Sequence, residues 1–259
     1  MKNGICTLSV VPIRAMPADK SELVSELLFG ELFEVREVVD SWINIKTVYD
    51  GYEGWVDIKQ CTLLSDDEFE KHLKNNQAVT TELVQIIYNK TNKIYYPVLI
   101  GSSLPSIVDT NLCIAGNEYI YEGEYTRELI SKENRKIPDV AKQLYNAPYR
   151  WGGRTPFGID CSGFTQLVMK ICGITILRDA SQQATQGEAV NFISEAVPGD
   201  LAFFENEENL IVHTGIILNN QKIIHASGNV RIDDIDHEGI YNGELNKYTH
   251  KLRIIRRFI

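Results

Sequence analysis

Of the five cysteines in the chain, Cys161 is the one placed for chemistry. It sits in Asp160-Cys161-Ser162-Gly163, just after a Gly- and Pro-containing stretch from Pro148 to Gly158. From Cys161 onward the spacing is helical. Phe164, Leu167, Val168 and Ile171 fall at i, i+3, i+4 and i+7, and Gly173 ends the pattern. A thiolate at a helix start meets the positive end of the helix dipole and unpaired backbone N–H groups. The sequence therefore predicts a thiol lowered from its ordinary value of about 8.5 toward neutrality.

A nucleophile of this kind needs a base. His213 opens the apolar run His213-Thr214-Gly215-Ile216-Ile217-Leu218, and His225 lies in Ile223-Ile224-His225-Ala226-Ser227, beyond an Asn219-Asn220 turn. In a hairpin turning near 219–221 the two histidines fall about opposite one another. One can contact the sulfur while the other fixes the tautomer of the first, which makes a Cys–His–polar triad. A cysteine at a helix start or a histidine at a strand end is also an ordinary structural residue. Zinc held by one Cys and two His lacks the paired ligands of a usual zinc site, so no metal and no cofactor are expected.

The elements that must hold these residues read as a helix over Pro138 to Tyr145, the helix after Cys161, and strands over Asp200–Phe204, His213–Leu218 and Lys222–Ala226. Helices followed by antiparallel strands give an α+β layout. Ahead of them, Glu31–Val39 and Trp42–Val48 approximate the period-two alternation of half-buried strands, and Asp50-Gly51 signals a hairpin turn. The first stretch, to about Ser65, thus reads as a small β-barrel. Asp66 to Leu73 reads as a charged helical junction, and Gln77 to Tyr125 as a second small β-domain. The expected domains are 1–66, 67–128 and 129–259.

A net charge of −9 excludes nucleic acid as an expected partner and counts against anionic membranes and wall polymers. No apolar run approaches the roughly 18 residues of a membrane span. Met1 to Cys6 lacks the apolar core of a signal peptide, so a cytoplasmic location is expected, with a secreted or periplasmic one if a leader has been removed. Cys6, Cys61, Cys113 and Cys172 show no metal or disulfide spacing and are expected to be buried bystanders.

Five motifs occur in order: Tyr149-Arg150-Trp151-Gly152-Gly153, Gly158-Ile159-Asp160-Cys161-Ser162-Gly163-Phe164, Pro198-Gly199-Asp200-Leu201, His213-Thr214-Gly215-Ile216 and Ile224-His225-Ala226. Together they resemble the NlpC-type cysteine peptidases over about residues 138–259. The resemblance implies a papain-like fold with Cys161 as nucleophile, His213 as general base and His225 as the orienting third member. Ser21-Glu22-Leu23-Val24, Phe29-Gly30-Glu31 and Asp50-Gly51-Tyr52-Glu53-Gly54-Trp55-Val56 are similar to a bacterial SH3-like domain. The whole, with Arg178-Asp179-Ala180-Ser181-Gln182-Gln183, resembles the γ-D-glutamyl-L-diamino-acid endopeptidases: a papain-like domain preceded by two small SH3-like β-barrels.

That subfamily implies a murein tri- or tetrapeptide substrate with a free N-terminal L-Ala, cleaved to release L-Ala-γ-D-Glu, as in wall-peptide recycling. It also implies that Tyr149, Asp160, Ser162, Ser181 and Tyr52 bind substrate. Asp160 would pair with the ammonium, the hydroxyls of Tyr149, Ser162 and Ser181 would take its carboxylate or carbonyls, and Tyr52 would close that end of the cleft. Structural roles compete with these: a helix cap for Asp160 and Ser181, core packing for Tyr52, Trp55, Tyr149 and Trp151, a turn for Asp200. Phe203 to Leu210 reads as a loose acidic loop beside His213. The alternatives in function are an extracellular peptidoglycan endopeptidase whose SH3-like domains bind wall, a non-catalytic wall-peptide binder, and a thiol acyltransferase.

Overall fold

The structure, a computed structural model, describes residues 3–74, 78–127, 137–219 and 221–258. The chain divides into two compact units, residues 1–128 and 129–259. The expected boundary at 128/129 and Asn220 of the expected turn lie outside the described residues.

In the first unit, a seven-stranded antiparallel sheet runs in the order Leu23–Leu28, Val10–Arg14, Glu53–Asp57, Trp42–Thr47, Leu32–Val39, Asn3–Ile5, Thr62–Leu64. Strand alternation turns Val11, Ile13, Phe33, Ile43, Ile45 and Val56 into one core. Tyr52 is half-buried, and its backbone N–H donates to Thr47 Oγ1 at 2.9 Å and Asp50 Oδ1 at 3.1 Å. This fixes the hairpin turn that Asp50-Gly51 signals, with Gly51 at φ 71°. Helix α1 (Asp66–Lys74) carries acidic residues in its first turn and basic ones in its last, which complements the helix dipole.

Beyond α1, a four-stranded sheet (Ile94–Leu99, Val84–Asn89, Asn117–Tyr121, Asn111–Ile114) accompanies a three-stranded one (Ser103–Leu104, Ala78–Thr80, Tyr125–Thr126). Packing does not break at residue 66: Ile5, Phe29 and Leu64 share a core with Phe69, Ala78, Ile87, Leu104 and Tyr121.

The second unit holds α2 (Ile137–Gln143), α3 (Cys161–Ile171) and the short α4 (Ala180–Gln183). Its strands are β1 (Leu201–Glu205), β2 (Ile211–Asn219), β3 (Lys222–Ser227), β4 (Asn229–Ile235), β5 (Gly239–Asn242) and β6 (Lys247–Arg257). Each pairs antiparallel with the next, and β6 also pairs with β1, so six strands close into a barrel. The sequence reading of a sheet missed this closure. Eleven-residue β6 supplies it, reaching β5 with its first half and β1 with its second. Ala202, Phe204, Ile217, Ile223, Ile235 and Ile240 form the apolar interior.

Every residue of α3 is buried, and the helix packs on β2 and β3. Burial of Phe164, Leu167, Val168 and Ile171 contributes about 1.5–3 kcal/mol each and anchors the end that carries Cys161.

Candidate active site

The N-terminus of α3 is fixed by a polar clamp. Asp160 is the N-cap, and its Oδ1 accepts the Gly163 N–H at 2.6 Å while Oδ2 accepts the Gly152 N–H at 2.8 Å. The Arg178 guanidinium grips the same carboxylate with both prongs, Nη1 to Oδ1 at 3.0 Å and Nη2 to Oδ2 at 2.7 Å. Arg178 Nη1 also donates to Ser162 Oγ at 2.8 Å, and Ser162 Oγ lies 3.3 Å from Asp160 Oδ1. Gln183 of α4 donates to the Ser162 carbonyl at 3.0 Å and accepts from Thr165 Oγ1 at 2.8 Å, tying α4 to the first turns of α3. Gly163 is required here, because a Cβ would stand 2.3 Å from the Gly153 carbonyl oxygen.

This arrangement gives both residues a structural role. The charge of Asp160 is matched by a guanidinium 1% exposed, and its oxygens accept four N–H groups, as the competing helix-cap reading expects. Ser162 likewise spends its hydroxyl on the clamp. Arg178, which sequence reasoning gave no role of its own, is what draws both inward.

Cys161 is 6% exposed. Burial, then the Asp160 carboxylate, pushes its thiol up to about 12, against the pull of the Thr214 and Ser162 N–H groups and Arg178. The expected lowering toward neutrality is therefore corrected: helix-start N–H groups act on this sulfur, but desolvation outweighs them. The hydrogen bond from the Thr214 N–H puts the sulfur against β2, at the residue that follows His213.

His213, 6% exposed, and His225, 1% exposed, stand on the inward face at one end of the barrel. His213 Nε2 and His225 Nδ1 are 2.8 Å apart, as the triad expectation requires. The register differs from the expected one, since His225 lies opposite Gly215 and His213 one same-face position beyond. A bulge between Ile217 and Asn219 moves the partner of His225 from residue 216 to Gly215, which keeps both histidines on one face. A Cβ on Gly215 would come within 2.8 Å of the His225 Cβ, so glycine leaves room for the histidine pair.

Two residues complete a relay that the sequence reading did not identify. His225 Nε2 donates to Asp233 Oδ2 at 3.0 Å. Arg231 grips Asp233 through Nε to Oδ2 at 2.7 Å and Nη2 to Oδ1 at 2.9 Å. Burial opposes ionisation of Asp233, but the bonds from His225 and Arg231 outweigh it and hold the carboxyl at about 2. The bond to Asp233 leaves His225 Nδ1 facing His213 Nε2; for a neutral pair this places the proton of His213 on Nε2 and the lone pair on its Nδ1. Burial, with His225 and His250 nearby, holds His213 well below its ordinary value, hence neutral. A signal for Asp233 was present: Ser227-Gly228-Asn229 turns the chain, Gly228 has φ 76°, and Arg231 then falls opposite His225.

The remaining candidates scatter. Tyr149 is half-buried, and burial, then the nearby Cys161 and Asp160, pushes its hydroxyl up to about 12, so it belongs to the site. Ser181 is exposed on α4 and is not its N-cap; Asp179 is, in a capping box with Gln182. Tyr52 lies in the first unit. Trp151, expected in the core, is 61% exposed, and Cys113, expected buried, is exposed. Asp200 is fully buried and binds Arg257 at 2.7 and 2.9 Å, a structural role. Glu205 belongs to β1 rather than a loose loop, and is paired with Lys251 at 2.7 Å.

Comparison with known proteins agrees with this layout. Residues 146–250 match the NlpC/P60 family, and residues 13–60 match the bacterial dipeptidyl-peptidase Sh3 domain. A γ-D-glutamyl-L-lysine dipeptidyl-peptidase of Bacillus subtilis (strain 168) is 24% identical over 240 residues, covering 86% of this chain and 74% of that protein. Dipeptidyl-peptidase 6 of Lysinibacillus sphaericus is 25% identical over 268 residues, covering 91% and 93%. A probable endopeptidase p60 of Listeria seeligeri is 41% identical over 104 residues, 40% of this chain and 19% of that protein. The crystal structure of an NlpC/P60 family protein from Bacillus cereus ATCC 10987 superposes with TM-score 0.80 over 99% of both chains at 20% identity, which is likeness of fold. The chain is thus a cysteine peptidase that joins an NlpC/P60 domain at residues 146–250 to a bacterial dipeptidyl-peptidase SH3 domain at residues 13–60.

Proposed function

We propose that the chain hydrolyses the γ-D-glutamyl–diamino-acid bond of murein peptides with a free N-terminal L-Ala, releasing L-Ala-γ-D-Glu for recycling in the cytoplasm. The observation that carries the chemistry is the buried relay Asp233–His225–His213 ending beside Cys161. In this reading the resting pair is a neutral thiol and a neutral imidazole. His213 Nδ1 takes the thiol proton as sulfur attacks the γ-glutamyl carbonyl, and backbone N–H groups of the first turn of α3 receive the oxyanion. His225 and Asp233 orient His213 and stabilise the imidazolium that forms. The imidazolium then protonates the leaving amine, and His213 activates water to free the dipeptide.

The choice of substrate leans on the long alignments to proteins named for that dipeptidyl-peptidase activity. A second reading, an endopeptidase of intact wall, is favoured by the higher identity of the catalytic region to the p60 endopeptidases. Comparing hydrolysis of free and N-acetylated L-Ala-γ-D-Glu-L-Lys separates them. Cleavage of the free peptide alone supports the dipeptidyl-peptidase reading, and equal cleavage of both supports the endopeptidase.

A further inference from the structure

His250 has no part in the relay, yet its ring stacks on His213 with centroids 4.1 Å apart and planes at 26°. Its Nδ1 lies 2.9 Å from Thr249 Oγ1. Among the described residues, His213, His225 and His250 each offer a ring nitrogen, and these atoms lie within 4.8 Å of one another. We propose that the three histidines form a binding site for one Zn²⁺ ion, and that filling it shuts the peptidase off.

Three imidazoles around tetrahedral zinc, each bonded at about 2.0–2.1 Å, hold their nitrogens about 3.4 Å apart. The pair His213 Nε2 and His225 Nδ1, at 2.8 Å, must open slightly, and the His250 nitrogen must close from at most 4.8 Å. The stacked His213 and His250 rings must also turn apart, because a ring nitrogen binds an ion in the plane of its own ring. His225 already donates its other ring N–H to Asp233, the carboxylate partner that orients zinc-bound histidines and raises their basicity. The approach is open: a cleft of about 810 Å³ ends on His250, its lining including Glu207, Glu238 and the Glu205–Lys251 ion pair.

Zinc on Nε2 of His213 moves the single proton of that neutral ring to Nδ1. No net proton is released, but the nitrogen facing the thiol becomes a donor and can no longer act as base. This loss of activity rests on the mechanism proposed above; the binding of zinc does not.

The rival geometry for the same ion is a Cys161–His213 site. The test is titration of the full-length protein and its Cys161→Ala and His250→Gln variants with ZnCl₂ against a chelator, and with CoCl₂ by absorption spectroscopy. The expected result is one ion per chain and a tetrahedral cobalt spectrum without a thiolate charge-transfer band. Binding should be unchanged in Cys161→Ala and at least about tenfold weaker in His250→Gln. A thiolate band, loss of binding in Cys161→Ala, retention in His250→Gln, or no binding by wild type overturns the proposal. Should His250→Gln fail to fold, the wild-type spectrum and Cys161→Ala decide it alone. In the assay of L-Ala-γ-D-Glu-L-Lys hydrolysis, Zn²⁺ should inhibit wild type, and EDTA should reverse it.

Discussion

Replacing Asp160 by asparagine should unfold the peptidase unit far more readily than it alters substrate affinity. The substitution keeps the shape but removes the charge and turns one acceptor oxygen into an NH₂ group. Either oxygen of Asp160 receives two N–H donors, one from the backbone of Gly152 or Gly163 and one from Arg178, so the new NH₂ must face donors. The Arg178 guanidinium, 1% exposed, is left without its counter-charge. Stranding one member of a buried pair costs about 3–5 kcal/mol, which for a unit of this size lowers Tm by about 10–25 °C. Calorimetry and far-UV circular dichroism on the full chain measure this. Asp160→Asn/Arg178→Met should be less destabilised than the sum of its single variants, by about 1–3 kcal/mol, because the double variant strands no charge. A loss below about 1 kcal/mol with a raised KM would refute the reasoning. It would return Asp160 to the role of ammonium ligand.

Two further outcomes follow from the relay. Burial raises Cys161 and lowers His213, so both shifts favour the neutral pair at pH 7. Alkylation of Cys161 by iodoacetamide should therefore be slow at pH 5–7 and climb steadily with pH; a fast plateau near pH 5 would show a preformed thiolate–imidazolium pair instead. Asp233→Asn removes the charged acceptor of His225 and should lower kcat by about 10- to 100-fold, from a charge-assisted bond worth about 1.5–3 kcal/mol, with KM little changed. A kcat within twofold of wild type would leave His225 without need of Asp233.

The candidate site was legible because it depends on local order: a loop turning into a helix at Cys161, and a histidine on each of two successive strands. What the sequence hid depends on distant partners. Asp160 reads equally as cap or ligand until Arg178, eighteen residues away, is seen to fill its lone pairs. The depressed thiol expected from a helix start failed because α3 is buried along its whole length, and desolvation is set by the fold. Barrel closure was invisible because it turns on how β6 divides its pairing between β5 and β1. His250 was passed over because the pattern of β6 does not reveal that its ring meets His213.

The most direct test of the account is mass spectrometry of the products from L-Ala-γ-D-Glu-meso-diaminopimelate incubated with wild type and with Cys161→Ala. Release of L-Ala-γ-D-Glu and free diaminopimelate by wild type alone is the predicted result. Equal release by Cys161→Ala, or cleavage of wild-type substrate at a different bond, would contradict it.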